Sequence, residues 1–136
     1  LDPEAKDEAL PFTPPGPLRR LVRPLADVGI GFLRRKYRFG TAELGECEDI
    51  LRAGLEELRG ELEARGAADE PEPRTLLERF SYADIAMAAV LQCIAPVDDR
   101  HIPLGTATRR CWTQPRLRER FADLVTWRDA LYQTYR

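Results

Sequence analysis

The chain has 136 residues, which is enough for one domain with a hydrophobic core. Its 21 basic and 23 acidic residues nearly cancel, so the net charge of −2 gives no electrostatic reason to expect binding to nucleic acid or to a membrane. Three widely spaced cysteines and a single histidine argue against a zinc site and against a Ser/His/Asp triad.

We expect the cysteines to be buried, reduced thiols, because two of them lie on or beside apolar helix faces. They are Cys47, Cys93 and Cys111. The expected compartment is therefore the cytoplasm. The chain begins at Leu1 and its only methionine is Met87, so we expect it to be a piece of a longer protein.

Residues 1–17 contain five of the 11 prolines, and this density predicts an extended, proline-rich linker. Residues 18–38 have the apolar spacing of an α-helix. Pro24 predicts a kink within this helix, and Gly40 is expected to end it. The last turn is basic, which favours the negative end of the helix dipole. The residues that form this basic cluster are Arg34, Arg35, Lys36 and Arg38.

Residues 42–65 are predicted to form an amphipathic helix that Thr41 caps and Gly66 ends. Its many acidic side chains lie opposite the apolar stripe, and we interpret them as solvated surface instead of an acidic site. The predicted stripe consists of Leu44, Cys47, Ile50 or Leu51, Leu55, Leu58 and Leu62. A surface loop is expected at 67–74.

The sequence around Ser81 has the spacing of a helix start. The Ser81 hydroxyl can accept from the backbone N–H of Asp84, and the Asp84 carboxylate can reach back to the N–H of Ser81, which is a capping box. Phe80 and Ile85 stand at the spacing of a hydrophobic staple. We interpret Ser81 and Asp84 as structural residues and not as catalytic ones.

The helix that starts at this capping box is apolar on nearly all sides, so we expect a buried central helix at about 82–95. It is too short to span a membrane. Downstream, Thr106 is expected to cap a short helix, and Pro115 to open one final helix. The fold class predicted from these elements is all-α, a helical bundle packed around the central helix.

Leu76-Leu77 followed by Arg79-Phe80-Ser81-Tyr82-Ala83-Asp84-Ile85-Ala86 resembles the signature of the all-helical C-terminal domain of bacterial-type glutathione S-transferases. That family carries a capping box and staple at its core helix, preceded by a leucine-rich turn. The resemblance covers roughly residues 17–136. This chain departs from the family pattern at Glu78-Arg79, where the turn usually has a glycine.

The resemblance implies a domain organisation and a site. Residues 1–17 would be the linker from an N-terminal thioredoxin-like domain, and 18–136 the helical domain. The catalytic residue and most glutathione contacts would belong to that absent domain, so no catalytic residue, metal or cofactor is expected here. The helical domain would supply the apolar pocket for an electrophile that glutathione attacks. The candidate pocket residues are Val28, Phe32 and Arg35.

Other interpretations remain open for these residues and for the chain. Val28 and Phe32 have the spacing of ordinary core residues, and Arg35 that of a solvated charge at a helix end. The family is usually dimeric, so a homodimer with the first helix pair at its interface is expected. The same fold also resembles non-catalytic docking modules in translation factors and aminoacyl-tRNA synthetase assemblies. An unrelated helical bundle is the third possibility.

Overall fold

The computed structural model describes residues 2–8, 16–37, 44–65 and 73–136. Within these ranges the chain forms seven α-helices and no strand, which confirms the all-α class. The helices are α1 (Pro3–Glu8), α2 (Gly16–Lys36), α3 (Leu44–Ala64), α4 (Tyr82–Val90), α5 (Thr106–Trp112), α6 (Pro115–Arg120) and α7 (Ala122–Tyr135), and a 3₁₀ turn at Leu91–Cys93 directly follows α4. The predicted helix ends at Gly40, Thr41 and Gly66 lie outside the described residues.

The first of two compact units comprises residues 1–49 and 105–111. It contains α1, so the prediction of an extended chain is wrong for Pro3–Glu8. The physical reason is a local cap: the Asp2 carboxylate accepts from the backbone N–H of Glu4 at 2.9 Å, and Pro3 occupies the first helical position, which suits proline. The helix α2 starts two residues before its predicted beginning and continues through Pro24.

The second unit comprises residues 50–104 and 112–136 and contains a hydrophobic core. The buried part of α3 contributes three leucines, as its apolar stripe predicts. The segment from α4 to Ala95 contributes four residues, and α6, α7 and the residue between them contribute the rest. The core consists of Leu55, Leu58, Leu62, Ala88, Leu91, Ile94, Ala95, Leu117, Phe121, Leu124, Trp127 and Leu131.

The central helix is less buried than predicted. Asp84 and Ala88 are buried in α4, but Tyr82 is 81% exposed and Ile85 is 50% exposed. The apolar appearance of this helix comes largely from alanine, which is the strongest helix former and is tolerated on exposed faces as well as buried ones. The sequence of an alanine-rich helix is therefore apolar on all sides, whether the helix is buried on one face or on all of them.

The last helical segment divides in two at Phe121. This residue has φ −113° and ψ 34°, which is outside the helical region, and its side chain is fully buried. The carbonyl oxygen of Arg120 accepts a hydrogen bond from the Arg59 guanidinium at 2.7 Å. A side chain from α3 thus satisfies a backbone group next to the break, which the prediction of one continuous helix from Pro115 did not include.

Candidate functional site

The three candidate pocket residues lie on one face of α2. Val28, Phe32 and Arg35 follow the i, i+4, i+7 spacing that aligns side chains along a helix. Val28 is 71% exposed and Phe32 is 64% exposed, so neither is an ordinary core residue. A Cβ atom added at Gly29 or Gly31 would meet no atom of the described residues within 4 Å. The face is therefore an open surface to which another molecule has access.

The end of α2 carries positive charge next to this face. Arg34, Arg35 and Lys36 are all exposed in its last turn. The Lys36 ammonium lies 5.3 Å from the centre of the Tyr37 ring, which is within the range of a cation–π contact. The expected basic cluster is thus present at the negative end of the helix dipole, except for Arg38, which lies outside the described residues.

The capping box at Ser81 is present, and Asp84 is its centre. Ser81 has the extended backbone of an N-cap residue, with φ −146° and ψ 176°. The Asp84 carboxylate accepts from the Ser81 N–H at 2.8 Å and from the Ser81 hydroxyl at 2.9 Å. Its other oxygen accepts from the N–H of Leu76 at 2.7 Å. One buried carboxylate therefore fixes both the helix start and the turn before it.

Arg128 of α7 is buried beside the end of α4 and its 3₁₀ turn, on the face of α7 that the helical spacing assigned to either Trp127 or Arg128. Its guanidinium donates to the carbonyl oxygens of Leu91, at 3.4 Å, and of Ala95. It also donates to the Asp129 carboxylate at 2.8 and 3.0 Å. The cation satisfies carbonyl groups at the end of α4 and its 3₁₀ turn, which is the favourable position for a positive charge.

A charged cluster joins α3 to α6 and α7 within the second unit. The Arg59 guanidinium holds the Asp123 carboxylate with two hydrogen bonds, at 2.7 and 2.8 Å, and donates to Glu56 at 2.9 Å. Arg120 donates to the same Glu56 carboxylate at 2.8 and 3.0 Å. Both guanidinium groups lie over the Phe121 ring, 4.8 and 5.7 Å from its centre.

These ion pairs shift the acidities of the cluster. Hydrogen bonding to Arg120 lowers the pKa of Glu56, and hydrogen bonding to Arg59 lowers the pKa of Asp123. The pKa of Arg59 is raised, chiefly by its hydrogen bonds to Asp123. The cluster is charged at neutral pH and holds the helices together, so we assign it a structural role and not an acid–base one.

An apolar groove of about 230 Å³ lies beside the capping box. Phe80 stacks on Tyr135, with ring centres 3.9 Å apart and planes 9° from parallel. Ile85, the other staple residue, lines the same groove, together with residues of α7. The i, i+4 pair of Leu131 and Tyr135 is the sequence signal for this surface, although the sequence does not show that Phe80 would be its partner.

The prediction that the cysteines are buried is wrong. All three thiols are exposed, whereas burial was expected. Cys47 and Ile50 of the predicted apolar stripe of α3 are exposed, whereas its leucines from Leu51 onward pack against the core. Among the described residues, no group of three or more His, Cys, Asp or Glu side chains could hold a metal ion. None of the described helices combines the length and the apolar character of a membrane span.

Comparison with known proteins identifies no relative. The chain matches no family model, no curated protein and no solved structure. The resemblance to glutathione S-transferases therefore stays a prediction that depends on the residues around Ser81 and Asp84.

Proposed function

We propose that this chain is the C-terminal helical domain of a glutathione S-transferase-like protein, in which it supplies the hydrophobic pocket for an electrophilic co-substrate. The observation that carries the proposal is the geometry at Asp84. Its buried carboxylate accepts hydrogen bonds from the N–H of Ser81 and from the N–H of Leu76, so it joins the leucine-rich turn to the capping box. These are the residues on which the resemblance depends.

The open face of α2 supports the assignment of the pocket. Val28 and Phe32 offer apolar area that remains exposed, and Arg35 adds a positive charge one turn farther along. An apolar electrophile would bind between this face and a thioredoxin-like domain that carries glutathione. In that arrangement the partner domain would lower the pKa of the glutathione thiol, while α2 would exclude water and hold the electrophile near the sulfur.

The test is a kinetic assay on the protein as its native source makes it, with glutathione and an aryl chloride as substrates. We expect Phe32→Ala to raise KM for the aryl chloride by about tenfold, because a large apolar contact is lost, and to leave KM for glutathione unchanged. The matched control is Ile50→Ala on α3, where the side chain is 67% exposed. If the native protein has no conjugating activity, or if Ile50→Ala and Phe32→Ala have equal effects, the proposal is wrong.

A second candidate is a non-catalytic docking module of the same fold. The width of the open α2 surface favours it: Leu33 and Tyr37, on the side of the helix away from Val28, are also about half exposed. An apolar surface of this kind, flanked by positive charge, suits a protein helix with acidic residues at its edges. In that case Phe32→Ala would weaken partner binding in a protein that does not retain glutathione.

The oligomeric state also distinguishes the transferase interpretation from the docking-module interpretation. The transferase interpretation predicts a homodimer, whereas a docking module binds a different chain. Sedimentation of the native protein, with and without Phe32→Ala, measures this state. If Phe32→Ala converts a dimer to a monomer, the exposed face of α2 is a self-association surface; if the dimer is unchanged, this face can be a pocket that does not take part in dimerisation.

A further inference from the structure

The contacts that hold α1 to the described residues of the first unit are polar. None of its residues is buried. The segment from Asp2 to Glu8 contains four acidic residues and one lysine, so its surface is strongly charged. A six-residue helix has little stability of its own, which means that its contacts must come from neighbouring elements.

Three sets of contacts bind this segment within its unit. Arg110 of α5 donates to the carboxylates of Asp2 and Glu4, at 2.5 and 3.1 Å. The Glu8 carboxylate accepts from the backbone N–H groups of Ala107 and Thr108, at 3.0 and 2.7 Å. On the other side, the Lys6 ammonium contacts the Asp27 carboxylate of α2 at 2.5 Å.

Gly105, the residue before α5, leaves room for the Glu8 carboxylate. A Cβ atom built on Gly105 would lie 2.1 Å from the Glu8 carboxyl carbon, which is far inside van der Waals contact. Any larger residue at 105 therefore displaces the Glu8 side chain. The fit between Gly105 and Glu8 and the ion pairs of Arg110 are separate features that act on the same segment.

We propose that α1 is a detachable strap, joined to α2 and α5 in the described part of the chain mainly by contacts of charged side chains, and that it opens, without unfolding of the rest of the protein, when those charges are screened or removed. Exposed ion pairs are weak individually and are screened by salt, so a short segment held by such pairs and by the hydrogen bonds of one exposed carboxylate has a low opening free energy. The pKa of Glu8 is lowered, chiefly by the N–H of Thr108, and the pKa of Asp2 is lowered, chiefly by Arg110, which is consistent with carboxylates that are charged in the closed strap. This inference does not depend on the proposed function.

Amide hydrogen exchange of this chain, measured by NMR, tests the strap. The probes are the N–H groups of Ala107 and Thr108, which Glu8 protects. We expect Arg110→Gln to increase their exchange about two- to fivefold, although Arg110 does not bind them, because the loss of its ion pairs opens the strap as a whole. The matched control is Arg118→Gln on α6, which we expect to change nothing at these amides.

Salt provides the second readout. Between about 0.01 M and about 1 M sodium chloride the screening length falls from about 30 Å to about 3 Å. We expect exchange at Ala107 and Thr108 to rise across this range while the amide of Leu131, a buried residue inside α7 of the second unit, stays protected. A charge exchange, Lys6→Asp combined with Asp27→Lys, should restore the protection that either single change removes.

Two results would overturn the proposal. One is unchanged exchange at Ala107 and Thr108 in both Arg110→Gln and high salt, which would mean that α1 is held by something other than charge. The other is simultaneous loss of protection at Leu131, which would mean that α1 leaves only when the whole protein unfolds.

Discussion

Asp84 and Arg128 lie at opposite ends of the same helical segment, with the anion at its start and the cation at its end. They are the two buried charged side chains among the described residues. Each satisfies backbone groups that a helix end leaves without partners, and each has the charge that the helix dipole favours at its position. The second unit therefore contains a helical segment with a buried side-chain charge at each end.

The Asp84 end predicts a large loss of stability on truncation. Asp84→Ala removes the acceptor for three donors, two of them backbone N–H groups at a partly buried site, and we expect the free energy of unfolding to fall by about 2–4 kcal/mol. Ser81→Ala should cost about 1 kcal/mol. Urea denaturation measures both. Glu61→Ala, at an exposed position of α3, is the control and should change the stability little.

At the Arg128 end we expect a comparable loss of stability on substitution, but here carbonyl acceptors lose a donor. We expect Arg128→Met, which keeps the length of the aliphatic stem, to lower the free energy of unfolding by about 2–4 kcal/mol, because the buried carbonyl oxygen of Ala95 loses its hydrogen bond from the guanidinium. Arg118→Met, at an exposed position of α6, is the matched control. A stability equal to that of the control would show that water replaces the guanidinium without loss.

The cluster of Glu56, Arg59, Arg120 and Asp123 predicts destabilisation by acid. The pKa values of Glu56 and Asp123 are lower in the folded chain than in the unfolded one, so the unfolded state binds protons first as the pH falls. The stability from these groups is present above their ordinary pKa values, near 4, and is lost as the pH falls through the lowered ones. Glu56→Gln with Asp123→Asn should flatten this part of the profile. An unaltered profile in thermal unfolding between about pH 5 and pH 3 would contradict the assignment.

The exposed thiols predict rapid chemical modification. Cys47, Cys93 and Cys111 should all react with a water-soluble maleimide in the absence of denaturant, because each side chain is accessible in the folded chain. We expect intact mass spectrometry to show three added labels, at a rate similar to the reaction of the maleimide with a small free thiol. If labelling requires denaturant, the cysteines are buried, as the sequence analysis expected.

The features that the sequence predicted correctly are local in the chain. The capping box needs only Ser81 and Asp84, three residues apart, and the leucines of α3 need only the helical repeat. The features that it missed depend on distant partners. The acceptors of Arg128 lie 33 and 37 residues away, and the Arg59 contact next to the Phe121 break spans 61 residues.

Two errors have a compositional origin. The proline count of residues 1–17 outweighed the Asp2-Pro3-Glu4 start signal, although proline is well suited to the first turn of a helix. Alanine in α4 gave the impression of a helix buried on all sides. For the candidate site, the sequence placed Val28, Phe32 and Arg35 on one face of α2, but it did not show that this face is open, since exposure depends on tertiary packing.

The measurement that tests the central claim most directly is retention of the natively produced protein on immobilised glutathione, together with its intact mass. A glutathione S-transferase-like protein should bind, elute with free glutathione, and have a mass larger than the 15.5 kDa of this chain by about one small domain. A protein of 15.5 kDa that flows through the column would contradict the account and would leave the helical domain as a docking module.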